Sequence, residues 1–106
     1  MKKKKTIAIK MLERTGTFAE NKDIARSLRE KFVFPNLKNG FDLIFDYDGV
    51  SNTTQSFTHA LISEAIRKFG PDVIDRLTFK NCSTEVKKII NIVVEYMQGN
   101  MESPVS

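Results

Sequence analysis

The chain has 106 residues, 41% hydrophobic and 28% charged, the proportions of one globular domain rather than of a disordered or fibrous segment. Its formal charge of +4 comes from 17 basic against 13 acidic residues, and the run Lys2, Lys3, Lys4 and Lys5 accounts for the whole excess. The rest of the chain is electrically balanced and has no aromatic RNA-binding signature, which argues against nucleic acid as a partner.

The lysines read as a solvated basic tail, residues 1–5, ahead of a domain over 6–98 and a frayed end at 99–106. One cysteine, Cys82, and one histidine, His59, exclude a disulfide framework and a Cys/His metal centre, and a single thiol fits a reducing compartment. No apolar run nears the roughly 20 residues of a membrane span. Lys10 cuts short any secretory apolar core, so the expectation is a cytoplasmic protein with no membrane partner.

In chain order, residues 6–12 alternate partly, with Ile7, Ile9 and Met11 on one side, and predict a half-buried strand. Residues 13–17 predict a turn, and residues 18–32 a helix with Ile24, Leu28 and either Lys31 or Phe32 at helical spacing. Asn21 or Thr17 is its cap, and Pro35 with Asn39-Gly40 is its stop.

Residues 41–47 are the strongest strand, and the consecutive Leu43, Ile44 and Phe45 predict a central strand covered by helices on both faces. Residues 51–55 are polar, with Thr53 or Thr54 capping a helix that runs through Phe57, Leu61, Ile62, Ala65, Ile66 and Phe69 to the stop at Gly70-Pro71. A short strand is expected at 76–79. Ser83 or Thr84 then caps a last helix that turns Val86, Ile89, Ile90, Val93, Val94 and Met97 inward, ending at Gly99.

The order β-α-β-α-β-α argues for a small α/β domain with a mainly parallel sheet of three to four strands packed by about three helices. A fourth strand is to be sought at 15–17 or 32–34. In open α/β sheets the working surface lies beyond the carboxyl ends of the strands, which points to residues 47–56 and 81–84.

The segment LIFDYDGVSNTT, residues 43–54, resembles the first motif of haloacid-dehalogenase-type phosphatases. That resemblance implies Asp46 as nucleophile and Asp48 as acid/base around Mg²⁺. The remainder of such a site is missing: no lysine after a later strand and no downstream acidic pair follow.

A wider resemblance runs through three stretches, TGTFAENKDIARSLREKF, FDLIFDYDGVSNTTQSFTHAL and LTFKNCSTEVKKIINIVV. Together they resemble the STAS-like domains, relatives of the anti-sigma-factor antagonists. Asp46, Gly49, Val50, Ser56, Phe57, Asn81, Val86 and Ile90 fall on that pattern, whereas Thr58, His59 and Ala60 stand where it often carries acidic residues.

The resemblance implies a regulatory module that binds a protein partner, such as a histidine-kinase-like ATPase, with no enzymatic activity and no cofactor. The expected contact surface is Asp48, Gly49, Ser51, Asn52, Thr53, Thr54, Ser56, Phe57 and His59, joined by Asn81 and Ser83. Ser56 is the matching phosphorylation position. A phosphate there would place about two negative charges in the first turn of a helix. Read from the residues alone, Asp46 ties down loop N–H groups, Gly49 supplies a positive φ, and Ser56 and Thr53 cap the helix. His59 falls on the exposed side of that helix, Asn81 fixes the following turn, and Cys82 serves as a small apolar residue.

Overall fold

A computed structural model describes residues 5–99; the lysines at 2–4 and the tail from 100 lie outside the described residues. Strand β1 (Lys5–Lys10) leads directly into a short helix α1 (Met11–Thr15), then a two-residue strand β2 (Phe18–Ala19) and helix α2 (Lys22–Leu28). A π turn (Arg29–Val33) joins α2 to α3 (Phe34–Lys38), and β3 (Phe41–Asp46) follows. Next come β4 (Asn52–Thr53), α4 (Gln55–Phe69), a 3₁₀ turn (Pro71–Arg76), β5 (Leu77–Lys80) and α5 (Thr84–Met97).

The main sheet has the order β1-β3-β5, all parallel, with β3 in the centre as its apolar run predicts. Ile7, Leu43 and Leu77 stand side by side across the strands, as do Ile9, Phe45 and Phe79. These rows face the helices. Phe45 stacks on Phe79 at 5.2 Å and takes Phe32 edge-on at 6.0 Å, while Phe57, Leu61 and Ile62 of α4 and Val86, Ile90 and Val93 of α5 complete the buried core. Each large apolar side chain so buried contributes about 1.5–3 kcal/mol.

The expectation of two covered faces is corrected. Leu43, Phe45 and Tyr47 are buried, but the alternate positions Asp42, Ile44 and Asp46 are only half-buried, and their neighbours Ala8, Lys10, Thr78 and Lys80 are exposed. The reason is topological. The strands follow one another in one direction across the sheet, so crossovers of one hand bring the long helices to one side, while Leu12 and Glu13 of the short α1 share a cavity with Lys10 and Asp46. With no reversal of strand order there is also no topological switch point.

Three local readings are corrected as well. The first strand stops at Lys10, and Met11, which continues its alternation, begins α1 with its side chain buried. The helix expected at 18–32 starts at Lys22, because Phe18 and Ala19 are taken by parallel pairing with Asn52 and Thr53. An additional strand does exist, but at Phe18–Ala19 and not at 15–17, where α1 ends in a turn, and it forms a separate two-stranded sheet rather than joining the main one.

Pro35 does not stop the helical run either. The wider π turn, closed by the Phe34 N–H bonding to the Arg29 carbonyl, precedes a proline in the first turn of α3, where its missing N–H is tolerated. The sought strand at 32–34 is therefore helical. The described residues form five α-helices instead of about three.

Asn21 caps α2, accepting from the N–H groups of Asp23 and Ile24; Thr54 caps α4 and Ser83 caps α5, each accepting from the N–H three residues on. Arg76, leaving the 3₁₀ turn, donates to Asp42 at 3.2 Å and to the carbonyls of Leu37 and Phe41 at 3.0 and 2.7 Å. It fastens the end of α3 and the start of β3 to the entry of β5.

Candidate functional site

At the carboxyl end of β3 the chain leaves Asp46, buries Tyr47 and reverses at Asp48-Gly49, with the Val50 N–H bonding back to the Tyr47 carbonyl at 2.9 Å. Gly49 has φ +89, as its position in the turn predicts, and a Cβ there would meet Leu12 of α1 at 2.7 Å. Helix α1 thus rests a leucine on the turn, and any side chain at position 49 would meet a strained backbone and would have to push aside the exposed end of Leu12.

Asp46 Oδ1 accepts from the Asp48 N–H and from Asn81 Nδ2, both at 3.0 Å. Asn81 itself holds φ +58, a left-handed conformation that asparagine tolerates better than most residues. The Asn81 amide, then the Asp48 N–H, and more weakly Lys80 and Lys10, hold the Asp46 carboxyl below its ordinary range against a smaller opposing effect of burial. Asp46 is therefore a loop tie between the turn after β3 and the turn after β5.

The next residues are stitched to a third loop. The Ser51 and Asn52 N–H groups donate to the Thr17 carbonyl at 2.8 and 3.3 Å, and the Ser51 hydroxyl donates to the same oxygen at 3.0 Å. Thr53 Oγ1 and the Thr54 N–H both donate to the Ala19 carbonyl. Ser83 donates to the Ser51 carbonyl at 2.9 Å while its Oγ accepts from the Val86 N–H at 3.1 Å. Loops from positions about 34 residues apart are thereby locked into one patch, in which Asp48, Gly49, Ser51, Asn52 and Asn81 are exposed.

Two residues expected in the contact surface lie beneath it. Phe57 is fully buried in the core, and Thr53 is buried by its bond to Ala19, so both support the patch from below. Thr54 and Ser83 are half-buried caps. Ser56 is exposed in the first turn of α4, and Thr54 rather than Ser56 or Thr53 caps that helix.

His59 is also corrected: it is half-buried, lining a groove of about 620 Å³ between the start of α4 and the second half of α5, with Lys22, Ser56, Ile92 and Tyr96. Ile92 and Tyr96 were missing from the sequence reading. Their signal was there: Ile89, Ile92 and Tyr96 recur at i, i+3, i+7, a second apolar stripe beside the buried Val86, Ile90 and Val93.

Asp46 is tied into the turn and also faces a small cavity. Its Oδ1 is occupied by two structural donors, and it shares a cavity of about 200 Å³ with Lys10, Leu12, Glu13 and Asp48. Among the described residues no three His, Cys, Asp or Glu side chains converge closely enough to hold a metal ion. Cys82 is half-buried, and burial pushes its thiol up, opposed in part by Lys87. No helix of the described residues is long and apolar enough to cross a membrane.

Comparison with known proteins agrees with this architecture. No curated protein and no solved structure matches the chain. Residues 25–87, more than half of the sequence, match a protein family described as a STAS-like domain of unknown function (DUF4325). The matched span starts inside α2 and ends in the first turn of α5, so it contains β3, the whole Asp46–Ser56 loop, α4, β5 and the Asn81 turn. The chain belongs to this STAS-like family.

Proposed function

We propose that the protein is a non-enzymatic regulatory module that binds a protein partner through the patch at the carboxyl end of the sheet. The observation that carries this reading is the stitching of three loops by Asp46–Asn81, Ser51–Thr17 and Ser83–Ser51. Loops held in one geometry lose little freedom on association, which is what a recognition surface requires. Asp48, Gly49, Ser51, Asn52 and Asn81 offer exposed polar contacts, with Ser56 at the edge.

The partner is proposed to be a cytoplasmic kinase-like ATPase or a comparable regulator, on the strength of the resemblance to anti-sigma-factor antagonists. Ser56 is the proposed switch. Its hydroxyl is exposed in the first turn of a 15-residue helix, where a phosphate is compatible with the positive helix end. The same phosphate would place about two negative charges at the contact.

A photo-crosslinking residue at Asn52, with a control at Thr78 on the open sheet face, tests the reading in cells. A defined protein product from position 52 and none from 78 is the expected result; no product at 52 refutes the binding surface. With the captured partner purified, Ser56→Asp should weaken binding while Ser56→Ala leaves it intact, and equal binding by both refutes the switch. Turnover of a phosphate ester with Mg²⁺ that disappears in Asp46→Asn would refute the non-enzymatic reading.

A further inference from the structure

The groove between α4 and α5 has a composition that the stitched patch does not use. One wall is Ile92 and Tyr96, which are 38% and 49% exposed although α5 has already committed Val86, Ile90 and Val93 to the core. The other wall is the first turns of α4, with Ser56 and His59, and Lys22 stands at the rim. At about 620 Å³ the groove has room for one or two large side chains.

Its charge has one sign. No carboxylate lines it, Lys22 places an ammonium at the rim, and the positive end of α4 opens towards it. Of the acidic residues near it in sequence, Asp23 pairs with Arg26 at 3.4 Å, and Glu20 and Glu95 are not part of the lining. The α5 wall lies beyond residue 87, where the family match ends.

We infer that this groove receives a segment of a partner protein in which a large apolar side chain sits next to carboxylates, the apolar group packing on Ile92 and Tyr96 and the carboxylates facing Lys22 and the start of α4. Aromatic residues at the centre of such contacts carry a disproportionate share of affinity, and rim charges set partner choice. The inference rests on the reading of the protein as a binding module, but it places a second contact beside the stitched patch. It also gives Ser56 a specific consequence, because a phosphate on the shared rim would repel an acidic segment.

The test is selection of a displayed library of random peptides on the immobilised full chain, followed by titration of the enriched peptides against three variants with unchanged circular dichroism. Enrichment of sequences with Asp or Glu beside a large apolar residue is expected. Tyr96→Lys and Lys22→Glu should each lower their affinity by about tenfold or more, while Asn52→Arg in the patch leaves it unchanged. Enriched peptides without an acidic bias, or bound equally by the two groove variants, overturn the groove. If those peptides are instead lost on Asn52→Arg, the groove fails while the binding-module reading stands. No enrichment at all counts against both.

Discussion

Asn81 Nδ2 donates to Asp46 Oδ1 at 3.0 Å, so the turn after β5 is hydrogen-bonded to the last residue of β3 across 35 positions of sequence. The bond explains two features at once: Asn81 keeps a left-handed backbone, and the Asp46 carboxyl titrates below its ordinary value of 3.8. A depressed carboxyl contributes stability that is present above its unfolded value and is lost as pH falls through the folded one. The prediction is a loss of stability below about pH 4 in which this pair takes part. Urea midpoints measured from pH 6 to pH 2.5 should fall less steeply in Asp46→Asn and in Asn81→Gly than in wild type.

Gly49 and Leu12 make a steric prediction. Gly49→Ala adds a Cβ at φ +89 and 2.7 Å from the leucine, and should destabilise by roughly 2 kcal/mol. Leu12→Ala in the same chain removes the collision but not the backbone cost. The double variant should therefore be less destabilised than the sum of the two single changes, as a double-mutant cycle in urea would read.

Arg76 has a role that no shorter or point-charged side chain can fill, because one guanidinium reaches a carboxylate and two carbonyls from different elements. Arg76→Met should cost about 2–3 kcal/mol, and Arg76→Lys should recover less than half of it. Thermal unfolding of the three proteins checks the order.

Tyr47 predicts the opposite sign. Its hydroxyl is fully buried with no protein partner, and burial pushes its ionisation strongly upward. Removing an unpaired buried hydroxyl should be neutral or stabilising, by up to about 1 kcal/mol. Tyr47→Phe with a lower urea midpoint than wild type would contradict the packing described here.

What was legible in the sequence was what local chemistry decides. The run Leu43-Ile44-Phe45 marked the central strand, the polar segment before Gln55 marked a helix start with Thr54 among its two candidate caps, and Gly70-Pro71 marked its end. What was not legible depends on distant parts of the chain. Phe18-Ala19 is too short to show a period and becomes a strand only because Asn52-Thr53 lies beside it. Met11 keeps the alternation of β1 but begins a helix, so periodicity carried the strand too far.

The open sheet face follows from strand order, which no local pattern encodes. Burial redistributed the members of the expected contact surface: Phe57 and Thr53 lie underneath it, and His59 lines the groove. The Asp46-x-Asp48 spacing resembles a catalytic motif, and the hydrogen bonds that tie Asp46 to the Asp48 N–H and to Asn81 could not be read from it.

The patch stitched by Asp46–Asn81, Ser51–Thr17 and Ser83–Ser51 is proposed to be the surface that binds a protein partner. Calorimetric titration of the partner captured through position 52 against wild type, Asn52→Arg and Thr78→Arg tests it most directly. Affinity should fall by about tenfold or more in Asn52→Arg and stay unchanged in Thr78→Arg, since an arginine can be accommodated on a free face but not inside a contact. Equal affinities for Asn52→Arg and wild type, or a loss confined to Thr78→Arg, would contradict it.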